Sequence, residues 1–363
     1  MIMKKIIKLA IIGGGYDSTI AKTHLRSLFS TGKYEVVCGC FSKNKNKNKK
    51  NSQFYSLKEN KIYNDIQKLI FNEKKNFDLA LVLTPPHTRY EIYKKLAVNN
   101  IGIIAEKPFE ENSQKAKRIY KLLKTKKIFF VSTYSYLGYP GIMEIKHLLK
   151  KIGSIKNFIL EMPQEASTLK NAKMKLWRTK DRSIPNLHLD LASHLLSFII
   201  YFFNEIPLQV NSFENKNLKY IDNAYTWLKF KNFNGQLWFS KNSPGKKNEL
   251  SIKIFGSKGS IEWAHTKHEE ILLSDNDGNK HNITRRSKNS KYLKKNKYFT
   301  YSAGHPGGFL DSFINVYEEI YNLYQKNIKK SPILLNLEDN LKIILILEKI
   351  HHSSIKESWQ KII

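Results

Sequence analysis

Cysteine is nearly missing from this chain of 363 residues: only Cys38 and Cys40 occur. One residue apart, they make poor disulfide geometry, and no zinc-ligand spacing accompanies them. A disulfide scaffold and a structural zinc site are excluded, and a reducing cytoplasm fits. Long apolar runs are missing too. Ser197 to Phe203 is apolar but far too short to span a bilayer. Met1 to Ile12 imitates a signal peptide, yet Lys8 interrupts it and Gly13-Gly14-Gly15 follows in place of a small-residue cleavage site. No membrane association is expected. Acidic residues are scarce: 31 Asp+Glu face 62 Lys+Arg, a formal net charge of +31. Such a balance points toward nucleic acid, a membrane surface or an acidic substrate. The lysines, however, are spread along the chain and interleaved with asparagine, as in Lys43 to Asn51 and Lys241 to Asn248. That reads as compositional bias on solvated faces. No nucleic-acid-binding module accompanies it, so no nucleic acid partner is expected.

What is present is the composition of a globular protein, 41% hydrophobic and 12% aromatic. The length suits two domains. Ile6 to Ile12 reads as a buried strand that runs into Gly13-Gly14-Gly15-Tyr16-Asp17-Ser18-Thr19 and then a helix. Strand, glycine turn and helix is the dinucleotide-binding arrangement. Ser18 and Thr19 are cap candidates whose helix N-terminus offers free N–H groups to a phosphate. The fingerprint is imperfect, because Ser18 stands at the third glycine position. Tyr34 to Phe41 reads as the second strand. It ends in Ser42-Lys43-Asn44-Lys45, where a carboxylate would bind ribose hydroxyls. Hydroxyl and ammonium groups suit a 2′-phosphate, so NAD and NADP both stay open. Phe77 to Leu83 ends in Thr84-Pro85-Pro86-His87, and Ile101 to Ala105 ends in Glu106-Lys107-Pro108-Phe109. Both tips lie at the carboxyl edge of the sheet, where open α/β sheets bind ligands. Helices alternate with these strands, and Ile128 to Ser132 adds one more strand. The pattern implies a parallel, doubly wound sheet in a first domain, residues 1–133.

The second domain, residues 134–363, reads as α+β. Successive strands from Val210 to Trp263, joined by Gly and Asn turns, imply a large, mainly antiparallel open sheet. Residues 276–300 are polar and read as a loop. Gly307 to Gln325 and Leu337 to Ser353 read as helices, the last placed to pack back on the first domain. Within Leu187 to Phe203, Asp190 and His194 stand at i and i+4, one face of a helix. A dehydrogenase acting on an alcohol needs a base for the hydroxyl proton, and histidine titrates in the right range. Asp190 is placed to orient His194, and Lys107 to polarise the same hydroxyl and oppose the developing alkoxide. His188 lies off that face, so no metal site is read here.

These motifs, with Leu176-Trp177-Arg178, Gly256-Ser257-Lys258-Gly259-Ser260-Ile261-Glu262-Trp263 and Gly304-His305-Pro306-Gly307-Gly308-Phe309, stand in one order along the chain. In that order the sequence resembles the Gfo/Idh/MocA group of glucose–fructose oxidoreductases and inositol dehydrogenases. The resemblance implies an α/β Rossmann domain plus an α+β domain. It also implies an NAD(P)-dependent oxidoreductase acting on a sugar or polyol hydroxyl. It gives the catalytic roles to Lys107, Asp190 and His194. The cofactor contacts it implies are Gly13, Gly15, Ser18, Thr19, Ser42, Thr84, His87, Glu106, Trp177 and Arg178, to which the ribose reading adds Lys43, and the strand tip before Pro108 adds Lys107. Tyr136, Tyr139, Gln164 and His305 match a branch that oxidises compounds such as levoglucosan or inositols, and are the substrate candidates. Arg89 departs from that branch, which has a second histidine there. A homo-oligomer, dimer or tetramer, is also implied. The alternative reading is a cofactor-binding regulator of the same fold without turnover.

Overall fold

Strands buried on both faces read as unbroken apolar runs. Leu79–Leu83, buried at every residue, is such a strand at the centre of the first sheet. The structure, a computed structural model, describes residues 5–169, 180–217, 220–305 and 307–362. In chain order the first part contains β1 (Ile7–Gly13), α1 (Thr19–Thr31), β2 (Tyr34–Cys40), α2 (Lys45–Tyr55), β3 (Ile62–Tyr63), α3 (Ile66–Glu73), β4 (Leu79–Leu83), α4 (Pro86–Val98), β5 (Gly102–Glu106), α5 (Ser113–Thr125) and β6 (Phe130–Thr133). There follow α6 (Pro140–Leu148), β7 (Ile155–Pro163), a π turn (His188–Ala192), α7 (Ser193–Phe203), β8 (Gln209–Asn217), β9 (Tyr220–Lys229), β10 (Asn234–Ser240), β11 (Ser251–Gly256), β12 (Gly259–Ala264), β13 (Glu270–Asp275), β14 (Lys280–Thr284), α8 (Phe309–Tyr324), α9 (Leu337–Lys356) and β15 (Gln360–Lys361).

Two compact units result, Met1–Gly138 with Phe309–Leu341, and Tyr139–Gly308 with Lys342–Ile363. This division differs from a boundary at Thr133. Residues 134–138 and α8 group with the first unit because α8 covers α1: Tyr317 bonds His24, and Phe313 meets the His24 ring edge-on at 5.0 Å. The first unit holds a six-stranded parallel sheet in the order β3-β2-β1-β4-β5-β6. That is the strand order of dinucleotide-binding sheets, with the switch point between β1 and β4.

The second unit holds nine strands in the order β14-β13-β12-β11-β7-β10-β9-β8-β15. Pairing is antiparallel except between β7 and β10. Gly235 lies beside Phe158 across that parallel pair, and a Cβ there would stand 2.0 Å from the Phe158 ring. The ring is roofed by Phe203, Phe230 and Phe233.

Two stretches depart from the sequence reading. Residues 276–300 are not all loop, since β14 pairs with β13 through a turn in which Asp275 accepts from the amides of Asp277 and Asn279. β14 is an edge strand with one buried residue, Ile283, so no alternation announces it. The Lys/Asn run is not only solvated surface. It forms α2, capped by Asn44 Oδ1 on the Lys47 amide. Among the described residues no helix is long and apolar enough to cross a membrane. Cys38 and Cys40 are free thiols, pushed up by burial to about 12 and about 11.

Candidate functional site

In the first unit the site is built on three strand tips. Gly13 adopts φ +79°, and a Cβ there would stand 2.5 Å from Thr84 Cγ2. Glycine is therefore required by both conformation and close approach. Ser18 caps α1 through the Ala21 amide, and exposed Thr19 begins the helix. The glycine turn is held from behind by α2: Asn51 Oδ1 accepts the Tyr16 amide at 2.9 Å, and the Tyr55 hydroxyl donates to the Gly14 carbonyl. Asn48 likewise accepts the Ser42 amide and donates to its carbonyl, beside exposed Lys43. Thr84 Oγ1 is buried and, among the described residues, has no hydrogen-bond partner. An unmet buried hydroxyl beside the glycine turn calls for a polar ligand. The half-buried glycine turn and the N-terminus of α1 suit a pyrophosphate. These residues fit a nicotinamide dinucleotide.

Lys107 is half-buried at the tip of β5, followed by a cis peptide to Pro108. Its backbone is bracketed by Arg89 on α4. The Arg89 guanidinium is buried, and donates to the Thr84 carbonyl at 2.9 Å and to those of Glu106 and Pro108. His87 is half-buried in the first turn of α4. The Glu106 carboxylate is turned into the packing between sheet and helices. His24 Nε2 stands 2.9 Å from it and Thr133 Oγ1 donates to it at 2.7 Å, while His24 Nδ1 meets the Tyr317 hydroxyl at 2.6 Å. Burial acts to raise this carboxyl. The bonds from His24 and Thr133 and the charge on Lys107 outweigh burial, and hold it below the usual carboxylate value. Tyr136 is buried in the 3-10 turn Ser135–Gly138, its ring 6.1 Å from that of Phe309.

In the second unit, His194 is buried in the first turn of α7 and Asp190 sits in the π turn before it. The π turn closes i→i+5 bonds and runs directly into α7, so Asp190 stands about one turn before His194. The Asp190 carboxylate meets Lys241, with Nζ 2.7 Å from Oδ2. Lys241, read as part of a solvated lysine run, is thus a correction: it is 6% exposed. His188 is buried against Glu214, which also holds His351, and the two histidines lower the Glu214 carboxyl to about 2 against the effect of burial. Tyr139 is 1% exposed, with its hydroxyl 2.8 Å from His265 Nε2. Half-buried Gln164 donates to Asn248, and His305 is exposed. Trp177 and Arg178 lie outside the described residues. No group of three or more His, Cys, Asp or Glu is placed to hold a metal ion among the described residues.

Comparison with known proteins agrees with the strand order and the glycine turn. Residues 7–134 match an oxidoreductase family described as an NAD-binding Rossmann fold, and residues 146–362 match its C-terminal alpha/beta domain. The chain belongs to the Gfo/Idh/MocA oxidoreductase family. An uncharacterized oxidoreductase, YfiI of Bacillus subtilis, is 26% identical over 289 residues, 74% of this chain and 73% of that protein. Levoglucosan dehydrogenase of Pseudarthrobacter phenanthrenivorans is 24% identical over 222 residues, 53% of this chain and 57% of the enzyme. Among solved structures, an inositol dehydrogenase homolog from Azotobacter vinelandii, complexed with NADH and myo-inositol, superposes with a TM-score of 0.88. That match has 17% identity and covers 98% of each chain. At that identity the likeness is one of fold. As a Gfo/Idh/MocA protein the chain is an NAD-binding oxidoreductase. The sequence does not single out His24, Thr133, Tyr317 or Lys241 as site residues. His24 had one signal, its place on the apolar face of α1 beside Leu25 and Leu28.

Proposed function

We propose that this chain oxidises a secondary hydroxyl of a sugar or polyol, with NAD or NADP as hydride acceptor. The observation that carries the reading is Lys107, fixed at the carboxyl edge of an NAD-binding sheet beside the unmet Thr84 hydroxyl. Two relatives named for levoglucosan and inositol support the substrate class. The bound nicotinamide supplies the acceptor for hydride. His194 takes the hydroxyl proton as general base. Lys107 sets a positive charge against the developing alkoxide and relays the proton. Asp190 orients the imidazole. Gly13, Gly15, Ser18, Thr19, Ser42, Lys43, Thr84 and His87 hold the cofactor, and Tyr136, Gln164 and His305 contact the substrate. The setting is cytoplasmic.

A homo-oligomer belongs to the same proposal. One face of the nine-stranded sheet carries a cross-strand row of Phe213, Tyr225 and Trp238, with Trp227 beside it. Phe213, Tyr225 and Trp227 are 59%, 40% and 47% exposed. Contiguous exposed aromatics mark interaction surfaces.

The enzymatic reading is tested by a panel of sugars and polyols with either cofactor, using wild type, Lys107→Ala and His194→Ala. At least one compound is turned over by wild type, and each variant loses on the order of 10²–10⁴ in kcat. Equal turnover in all three proteins removes these residues from the mechanism.

A further inference from the structure

Among the described residues of a chain with net charge +31, Lys241 is the one lysine that is buried. Its ammonium ends 2.7 Å from the carboxylate of Asp190. The side chains of the pair are 7% and 26% exposed. Compositional bias puts lysines into water, so it does not account for this one. Desolvating an ammonium is costly unless a carboxylate meets it with good geometry. The backbone here is fixed as well. The Lys241 amide donates to the Asp222 carbonyl at 2.7 Å, and its carbonyl accepts from the Ser167 amide and hydroxyl at 2.8 and 2.5 Å. Lys241 directly follows β10, which is hydrogen-bonded on one side to β7 and on the other to β9. The base of the side chain is therefore anchored in the middle of the sheet.

We propose that Lys241 is a positioning residue of the active site, which holds the Asp190 carboxylate ionised and in one rotamer. The proposal rests on the reading of Asp190 and His194 as the pair that handles the substrate proton. Asp190 sits in the π turn, about one turn before His194 at the start of α7. Lys241 grips its carboxylate from outside the helix, from the end of β10. It also sets the strength of the pair. A cation beside an Asp–His pair opposes the imidazolium that forms when histidine takes a proton. The base stays unprotonated, and hence competent, to lower pH than it would with Asp190 alone. Asp222, buried beside Ser167, adds a second carboxylate to the surroundings of Lys241.

The test compares wild type, Lys241→Met, Lys241→Arg, Asp190→Asn and the double variant Asp190→Asn/Lys241→Met. Steady-state oxidation of a turned-over sugar is measured from pH 5 to 10, and NADH affinity is measured by fluorescence. The expected results for Lys241→Met are a fall of about tenfold or more in kcat and NADH affinity within about twofold of wild type. The acid limb of kcat/KM moves to higher pH by roughly one unit. Lys241→Arg keeps the charge and recovers most of the rate and the limb. In the Asp190→Asn background, adding Lys241→Met changes kcat by less than about twofold, because the lysine acts through that carboxylate. The double variant removes both charges of the pair and keeps the test open if Lys241→Met does not fold. Wild-type kcat and pH profile in folded Lys241→Met overturn the proposal while leaving the dehydrogenase reading intact. So does a further large loss in the double variant. A wild-type protein that binds NADH but oxidises no compound of the panel overturns both.

Discussion

Arg89 brackets Lys107: its guanidinium donates to the carbonyl of Glu106 on one side and to that of Pro108 on the other. A third bond, to the Thr84 carbonyl, ties the tips of β4 and β5 together. Arg89→Met leaves these buried carbonyls unmet, at about 1–3 kcal/mol each. The expected result is a lower melting temperature and a kcat loss of about tenfold or more. Arg89→Lys recovers little, because an ammonium is a point donor and not a planar fork. Calorimetry and steady-state kinetics check this. A variant with unchanged kcat would show that Lys107 needs no such bracket.

Glu110 lies just past that bracket and is fully buried. Burial pushes its carboxyl up from 4.5 to about 7, against the Glu111 amide and the charges of Lys115 and Arg89. The folded chain therefore holds this proton to higher pH than the unfolded chain. The resulting stability is present in full below about 4.5 and is lost as pH rises toward about 7. The loss is on the order of 3 kcal/mol. Urea unfolding of wild type and Glu110→Gln between pH 4.5 and 8 measures it. The variant gains on wild type as pH rises, and parallel curves would refute the assignment.

Thr84→Val replaces an unmet buried hydroxyl by a methyl group of similar volume. Stability is expected to hold or rise, since an unsatisfied polar atom is removed. Affinity for NADH is expected to fall about three- to tenfold, the worth of one neutral hydrogen bond. Calorimetric titration decides between this and a hydroxyl that meets no cofactor.

Trp227→Glu, combined with Tyr225→Glu, places two charges on the exposed aromatic face of the nine-stranded sheet. Sedimentation velocity is expected to show smaller assemblies than wild type, with secondary structure by circular dichroism unchanged. A monomeric wild type removes the interface from that face.

The strands of the first unit were legible because burial on both faces leaves an unbroken apolar run, as in Leu79–Leu83. The glycine turn, the Thr84 tip and the Lys107 tip followed from those strands. α2 was hidden because lysine and asparagine dominate it, although Asn48, Asn51 and Tyr55 hold the cofactor-side loops. β14 was hidden because an edge strand needs little apolar sequence. Arg89 was visible only as a departure from a family pattern. Its partners are carbonyls, which no side-chain motif records. Lys241 was hidden by number, one lysine in a chain with 62 Lys+Arg. Nothing local distinguishes it from its neighbours, because its carboxylate partner, Asp190, lies far earlier in the chain.

β7 is the seam of the larger sheet, since it separates the meander β8–β9–β10 from the meander β11–β12–β13–β14. Each meander is assembled from neighbouring hairpins, whereas both edges of β7 wait for partners much later in the chain. Loop closure of that range is slow. The two meanders are expected to gain hydrogen-exchange protection early in refolding, and the seam to join them last. Phe158→Leu, which thins the ring over Gly235, then speeds unfolding and leaves the early protection unchanged.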